Sequence, residues 1–406
     1  MFVAVKTTRS KQMKTIAVAQ LVYIISLGLL KTAFATTYTV HPIPLHFDEY
    51  NVGIPTDLAE NNSVIGVYEG CPASTIYCIL AGFIYDIDNG KAIKLEPLPG
   101  NNATIAQGIS PDGSKIVGES YSGGVLNDKA VLWNSSGKIQ KSLKLPEGRN
   151  YSNARRINDE GYVVGITSVD EFDMHATFWD LNQNSVKELP LDHDSYLFDI
   201  MSGGKTGVGY RQPTENPTER IAIRWLPEEG LIDLKELGGG WSEAYAINKN
   251  GITVGFSRDI NFISHAVVWD KEGKILEVLP TSEHIIAIAH DINEKGQIVG
   301  EVISDILTNK SNVKDNIKKN PLFNKLPLRN LKQKIERVEA NNYSYYEYGY
   351  IYEDGKVIDL NELLDNDSKK FEILSAYAIN NNGLILAFAV DKEMRREIGV
   401  LLIPHE

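Results

Sequence analysis

Beyond residue 36 the chain is a succession of short runs in which apolar and polar residues alternate, separated by Asn/Gly turns. That period marks strands with one buried face rather than helices. Residues 244–269, AYAINKNGITVGFSRDINFISHAVVW, contain one full unit. An alternating strand leads to a tight turn at Asn248-Lys249-Asn250-Gly251. A second strand ends in Val254-Gly255-Phe256-Ser257, and after a loop a third closes on Trp269. The apolar segment 273–280 adds a fourth strand.

This unit recurs. Aligning the I-N-x-x-G turn gives Ile109, Ile157, Ile200, Ile247, Ile292 and Ile379, at separations of 48, 43, 47, 45 and 87 residues. A glycine follows at Gly118, Gly165, Gly209, Gly255 and Gly300; Gly66 opens the series and Ala387 ends it. Trp133, Trp179, Trp225 and Trp269 mark the third strand, with Tyr85 and Tyr352 in that place elsewhere. Four strands per unit at this spacing predict an all-β, seven-bladed β-propeller in a single domain, 36–406. The blades are expected at about 46–99, 100–146, 147–190, 191–237, 238–280, 281–364 and 365–406. The last is one strand short, and the lone N-terminal strand at 37–44 is expected to complete it, closing the ring and removing free sheet edges.

Residues 1–35 fall outside that pattern. Lys6, Arg9, Lys11 and Lys14 precede an apolar run over 16–30, and Ala33-Phe34-Ala35 supplies small residues for cleavage, so a signal peptide is expected. The apolar run is too short to span a bilayer comfortably. Removing this leader takes away five of the 41 Lys/Arg and none of the 53 Asp/Glu, leaving 36 basic against 53 acidic residues, a net charge of −17. Such a balance argues against a nucleic-acid partner.

The double interval before Ile379 holds an insertion at about 304–339 with nine Lys/Arg against four Asp/Glu. Leu328, Leu331, Ile335 and Val338 recur there at helical spacing. In an antiparallel blade the short Asn/Gly turns share one face, and all the long connections share the other. Loops on a rigid scaffold are where binding residues usually sit. The irregular face therefore supplies the ligand-binding candidates His46, Tyr50, Tyr151, Asp192, His193, Asp194, Trp241, Glu243, Glu283 and His284. Trp241 is the one tryptophan off the repeat position, available either to stack on a sugar or apolar side chain or to seal two blades. Asp192-His193-Asp194 would hold an imidazole between carboxylates, or lie in a solvated loop. His175 and His265 share one repeat position in different blades, which keeps them apart. Cys71 and Cys78 enclose a small loop and are expected to form a disulfide in an exported chain.

No G-x-S-x-G, H-E-x-x-H, Walker, G-x-G-x-x-G, EF-hand or four-cysteine zinc pattern occurs, so no metal or cofactor is expected. The units resemble HAF repeats, found in exported bacterial proteins: A-x-x-I-N-x-x-G-x-I-V-G-x-S, then H-A-F-x-W. Residues 244–257 with His265-Ala266 and Trp269 match it, as do 289–301 and 154–167 with His175-Ala176 and Phe178-Trp179. Ser110 and Met201 depart at the Asn position, and Lys129 and Ile221 at the His position. The resemblance implies an extracellular or periplasmic repeat protein and no assigned activity. The expected function is non-catalytic binding of a protein or glycan by the irregular face. The competing expectations are a glycan hydrolase or lyase using carboxylates at the central opening, and a structural spacer.

Overall fold

A computed structural model describes residues 36–43, 52–70, 79–122, 128–169, 173–189, 194–280, 285–305 and 345–405. Seven four-stranded antiparallel sheets follow one another along the chain as blades 1 to 7. Their first strands are Val52–Leu58, Ala103–Ile109, Tyr151–Ile157, Ser195–Ile200, Gly238–Ile247, Ile285–Ile292 and Phe371–Ile379. These seven are the inner strands, packed side by side around a common axis, and Tyr38–Pro404 makes one compact unit.

The ring closes as the sequence pattern predicts. The strand Tyr38–Pro42 pairs antiparallel with Arg396–Pro404, in register from Tyr38↔Pro404 to Pro42↔Val400, and becomes the fourth strand of blade 7. Tyr38 and Val40 pack into the core of that blade with Ile373, Val400 and Leu402. The amide of Val40 also donates to Ser368 Oγ at 2.8 Å.

Most of the apolar core lies between blades. Trp133, Trp179 and Trp269 are each almost wholly buried. Their indole N–H groups donate at 2.7 Å to the carbonyls of Glu96, Lys144 and Lys235, each in the preceding blade. A second stitch uses a hydroxyl five residues before the repeat isoleucine. Thr104, Ser152, Ser195 and Ser242 accept from the amides of Gly82, Ala130, Ala176 and Ala222 in the previous blade, at 2.8 to 3.0 Å. Buried amides left without such acceptors would each cost about 1–3 kcal/mol.

The turn face carries a third stitch. Asn158, Asn248, Asn293 and Asn380 each use Oδ1 to hold their own turn. Each Nδ2 donates to a carbonyl in the next blade's turn: Gly204, Asn293, Asn380 and Ala59 respectively. The I-N-x-x-G motif is therefore a circumferential clasp as well as a turn.

The recurrent glycine has a specific cause. Each inner strand carries a β-bulge beside it: the register skips one residue between Ala106 and Gly108, between Ala154 and Arg156, and likewise in the other blades. The bulge presses a carbonyl against the neighbouring strand. A Cβ on Gly118 would sit 1.9 Å from the Ile105 oxygen, and one on Gly255 2.0 Å from that of Glu243. Blade 7 tolerates Ala387 at this position, and there the inner strand has a second register shift, between Ile373 and Ser375. A bulge re-aims side chains, and here it sets what faces the axis.

The long insertion leaves blade 6 between its second strand, Ile298–Asp305, and its third, Tyr345–Glu353. Asp305 and Tyr345 are register partners, so the chain departs and returns at one point on the irregular face. Residues 1–35 and the residues between 305 and 345 lie outside the described part of the chain, as do Cys71 and Cys78.

Candidate functional site: the axial cavity

The skipped residues of the seven bulges are Thr56, Gln107, Arg155, Phe198, Tyr245, His290 and Tyr377. Each is half-buried, and in six of the blades it stands between two fully buried neighbours. All seven border a cavity of about 490 Å³ on the axis, toward the irregular face. They occupy the first variable position of A-x-x-I-N, two residues before the isoleucine.

The wall has two characters. Thr56, Gln107 and Arg155, from blades 1 to 3, form a polar arc. Phe198, Tyr245 and Tyr377, with Phe388 behind, form an aromatic arc from blades 4, 5 and 7. Phe198 meets Tyr245 edge-on at 5.2 Å, Tyr245 lies 5.7 Å from the His290 ring, and Tyr377 packs on Phe388 at 5.0 Å. Ring pairs tilted in this way hold one another in place. The Tyr377 hydroxyl is buried and has no hydrogen-bond partner among the described residues.

The next residue in each repeat lies deeper along the axis. Asp57, Arg156, Asp199 and Asp291 meet there, from blades 1, 3, 4 and 6. Arg156 bridges two of the acids, pairing with Asp57 and donating from Nε to Asp199 Oδ1 at 3.0 Å. Each acid also accepts from the following blade, Asp57 from the Ile109 amide, Asp199 from Ile247 and Asp291 from Ile379, at 2.8 to 2.9 Å. A smaller cavity of about 110 Å³ lies beyond, on the turn-face side. Arg156 borders both cavities and partitions the axis.

Three carboxylates share one guanidinium here, and protonation reflects it. Burial pushes the Asp291 carboxyl up to about 7, against the attraction of Arg156. Burial also raises Asp199, opposed by Arg156 and the Ile247 amide. For Arg156 burial is outweighed by the three aspartates, which hold its proton more firmly than in water.

Among the described residues, Glu243 is the one carboxylate on the wall of the upper cavity, and it is 4% exposed. Its Oε1 accepts from Trp241 Nε1 at 2.9 Å and Arg220 at 2.5 Å, and its Oε2 from the Tyr245 hydroxyl at 3.0 Å. Two carboxylates stand close behind. Glu119 accepts from the Tyr151 hydroxyl at 3.0 Å, and burial raises its pKa against hydrogen bonds from Asn153 and Tyr151. Burial likewise pushes Glu301 up, but the hydrogen bond and charge of His290 outweigh it and hold the group below its usual range.

Of the residues expected to bind that lie among the described residues, Glu243 borders the cavity, and from an inner strand rather than a loop. Tyr151 also stands in an inner strand, where it ties blade 3 to Glu119 of blade 2. Asp194 accepts from the Met174 amide at 3.0 Å, clamping blade 3 to blade 4. Trp241 seals two blades: its ring packs under the guanidinium groups of Arg220 and Arg258 at 4.7 and 4.4 Å. Its backbone also bridges to Arg220, at the edge of blade 4. His46, Tyr50, Asp192, His193, Glu283 and His284 lie outside the described residues. His175 and His265 each turn to an aspartate of their own unit, Asp173 at 2.7 Å and Asp259 at 3.2 Å. Among the described residues no group of three or more His, Cys, Asp or Glu is placed to hold a metal, and no helix is long and apolar enough to cross a membrane.

No protein-family model matches this chain, and no curated protein matches it either. Solved structures do. The β-propeller domain of the trilobed protease from Pyrococcus furiosus, described as having an open velcro topology, aligns at 10% identity over 91% of this chain and 94% of that one, with a TM-score of 0.50. Acylaminoacyl peptidase from Pyrococcus horikoshii aligns at 12% identity over 86% and 51%, with a TM-score of 0.48. TolB from Acinetobacter baumannii aligns at 16% identity over 54% and 51%, with a TM-score of 0.38. The chain spans about half the length of the TolB and peptidase chains it matches. At these identities the likeness is one of fold, a propeller. In this chain the ring is locked by Tyr38–Pro42.

Proposed function

We propose that this chain is an exported, HAF-repeat propeller that binds a protein or glycan partner on its irregular face, with the upper axial cavity as the receiving point. The observation that carries this reading is the state of the cavity wall. Its aromatic arc is open to the axis, while its one described carboxylate, Glu243, already has partners on both oxygens. A hydrolase working through paired acids needs one carboxylate to protonate a leaving group and another to attack or activate water. Glu119 and Glu301 are tied to Tyr151 and His290 instead. A recess that sets an aromatic wall against a few placed polar groups is a usual form of binding site. Export rests on the leader expected at 1–35, and a Cys71–Cys78 disulfide would stiffen one loop of the same face.

Peptide and glycan arrays probed with the purified protein test this. Binding to members of one array is expected, weakened by Phe198→Ala in the cavity and left alone by Lys295→Ala in a turn of the opposite face. Hydrolysis of the bound probe, or binding indifferent to Phe198→Ala, would overturn the reading.

A further inference from the structure

Arg149 pairs with Asp173 and Glu188, Arg156 with Asp57 and Asp199, Arg211 with Asp233, and Arg220 with Glu243. Among the described residues Arg155, like Arg224, Arg258, Arg395 and Arg396, has no carboxylate ion pair, and of these it alone borders the upper cavity. Its guanidinium donates to Gln107 Oε1 at 2.5 Å, a neutral acceptor. A half-buried guanidinium whose only hydrogen bond among the described residues goes to a neutral acceptor, and which has only a longer-range attraction to Glu119, keeps donors to spare for an anion, and its planar fork suits a carboxylate.

Three further features narrow the ligand. The aromatic arc of Phe198, Tyr245, Tyr377 and Phe388 shares the same recess, so the anion must carry an apolar body. Arg156 lines the floor of this recess as well as the smaller cavity beyond it, a narrowing that favours the end of a chain over its middle. Much of its polar edge is already in use: Thr56 donates to the Ala106 carbonyl, Tyr245 to Glu243, and His290 pairs with Glu301. A sugar ring would find few partners for its hydroxyls. The three buried aspartates lie on the far side of Arg156, which stands between them and an incoming negative charge.

We infer that the upper axial cavity receives the C-terminus of a protein chain that ends in an aromatic or large apolar residue, its terminal carboxylate held by Arg155 and its last side chain laid against Phe198, Tyr245, Tyr377 and Phe388. The inference rests on the binding reading above and names the end of the partner that enters.

Calorimetric titration with four probes decides it: an acetylated Gly-Gly-Ala-Phe tetrapeptide as free acid, the same peptide as amide, a version ending in alanine, and a uronate trisaccharide. The free acid is expected to bind roughly tenfold more tightly than the amide, the difference expected of a charge-assisted pair, and more tightly than the alanine-ended peptide. Arg155→Gln should abolish the preference for acid over amide, and Arg155→Lys should restore it in part. The wild-type comparison needs no variant to fold. Equal affinity for acid and amide, a preference that survives Arg155→Gln, binding of the trisaccharide alone, or no binding of any probe overturns the inference and leaves the wider binding reading standing. Cleavage of the tetrapeptide overturns that wider reading instead.

Discussion

The side chain of Asn380 donates from Nδ2 to the carbonyl of Ala59, 321 residues earlier in the chain, at 3.1 Å. Its Oδ1 meanwhile accepts from the Asn382 and Leu384 amides of its own turn. One buried amide thus shapes a turn in blade 7 and fastens it to blade 1. Asn380→Ala removes the clasp and strips acceptors from buried amides, at about 1–3 kcal/mol. Thermal unfolding should shift down by several degrees. A shift no larger than that of a surface substitution would show the turn-face clasp to be redundant.

The closing strand makes the same connection at the outer edge. Deleting residues 38–43 leaves the stretch from Gly399 to Pro404 as an unpaired edge, and such edges recruit other chains. The truncated protein should elute as oligomers or aggregate on gel filtration, whereas the intact chain does not form them through this edge. Addition of a synthetic peptide spanning 36–44 should reverse the effect in part.

How much of this was legible in the sequence depends on how the information is distributed. Strand pairing is local and repetitive, so Ile109 to Ile379, the recurrent glycines and the short final unit sufficed for seven blades and their closure by the N-terminal strand. The axial site is not local. Arg156 meets Asp57, Asp199 and Asp291 across the ring, and no spacing along the chain announces that. A usable signal did exist: the two variable positions of A-x-x-I-N are the ones that face the axis, and they read Arg155-Arg156, Phe198-Asp199, Tyr245-Ala246 and His290-Asp291. Attention to loops led instead to Tyr151, Asp194 and Trp241, which join blades; of the four candidates among the described residues, Glu243 reached the cavity.

Removing Arg156 would leave three buried carboxylates without their common cation. Arg156→Met should cost roughly 3 kcal/mol or more, the usual consequence of breaking a buried ion pair from one side. The double variant Arg156→Met, Asp199→Asn should recover part of that loss in denaturant melts. An additive double variant would mean that the two residues do not communicate.

The raised Asp291 makes a signed prediction. Its pKa of about 7 in the folded protein lies above the ordinary aspartate value of 3.8, so between those values the folded state binds more protons than the unfolded one. That contribution to stability is fully present at low pH, declines as pH rises from about 4, and is lost above about 7. Asp291→Asn should cancel it. The stability difference between variant and wild type should therefore move in the variant's favour from pH 5 to pH 8, by several degrees in Tm. A difference that is flat with pH sinks this assignment.

The insertion in blade 6 should be dispensable for folding. Asp305 and Tyr345 are paired, so replacing residues 306–344 with an Asn-Gly turn converts the excursion into an ordinary hairpin. Unfolding temperature should be unchanged, while partner capture by the irregular face should weaken if the basic segment touches the partner.

Because the strand that locks the wheel, Tyr38–Pro42, precedes every blade and its mate, Arg396–Pro404, belongs to blade 7, the final fastening waits until that mate has emerged from the ribosome. Until then each blade can lean on its predecessor, but the circle has a gap. A chain handed to an export channel during synthesis would thus arrive on the far side still unfastened, and the axial recess would take its shape only there.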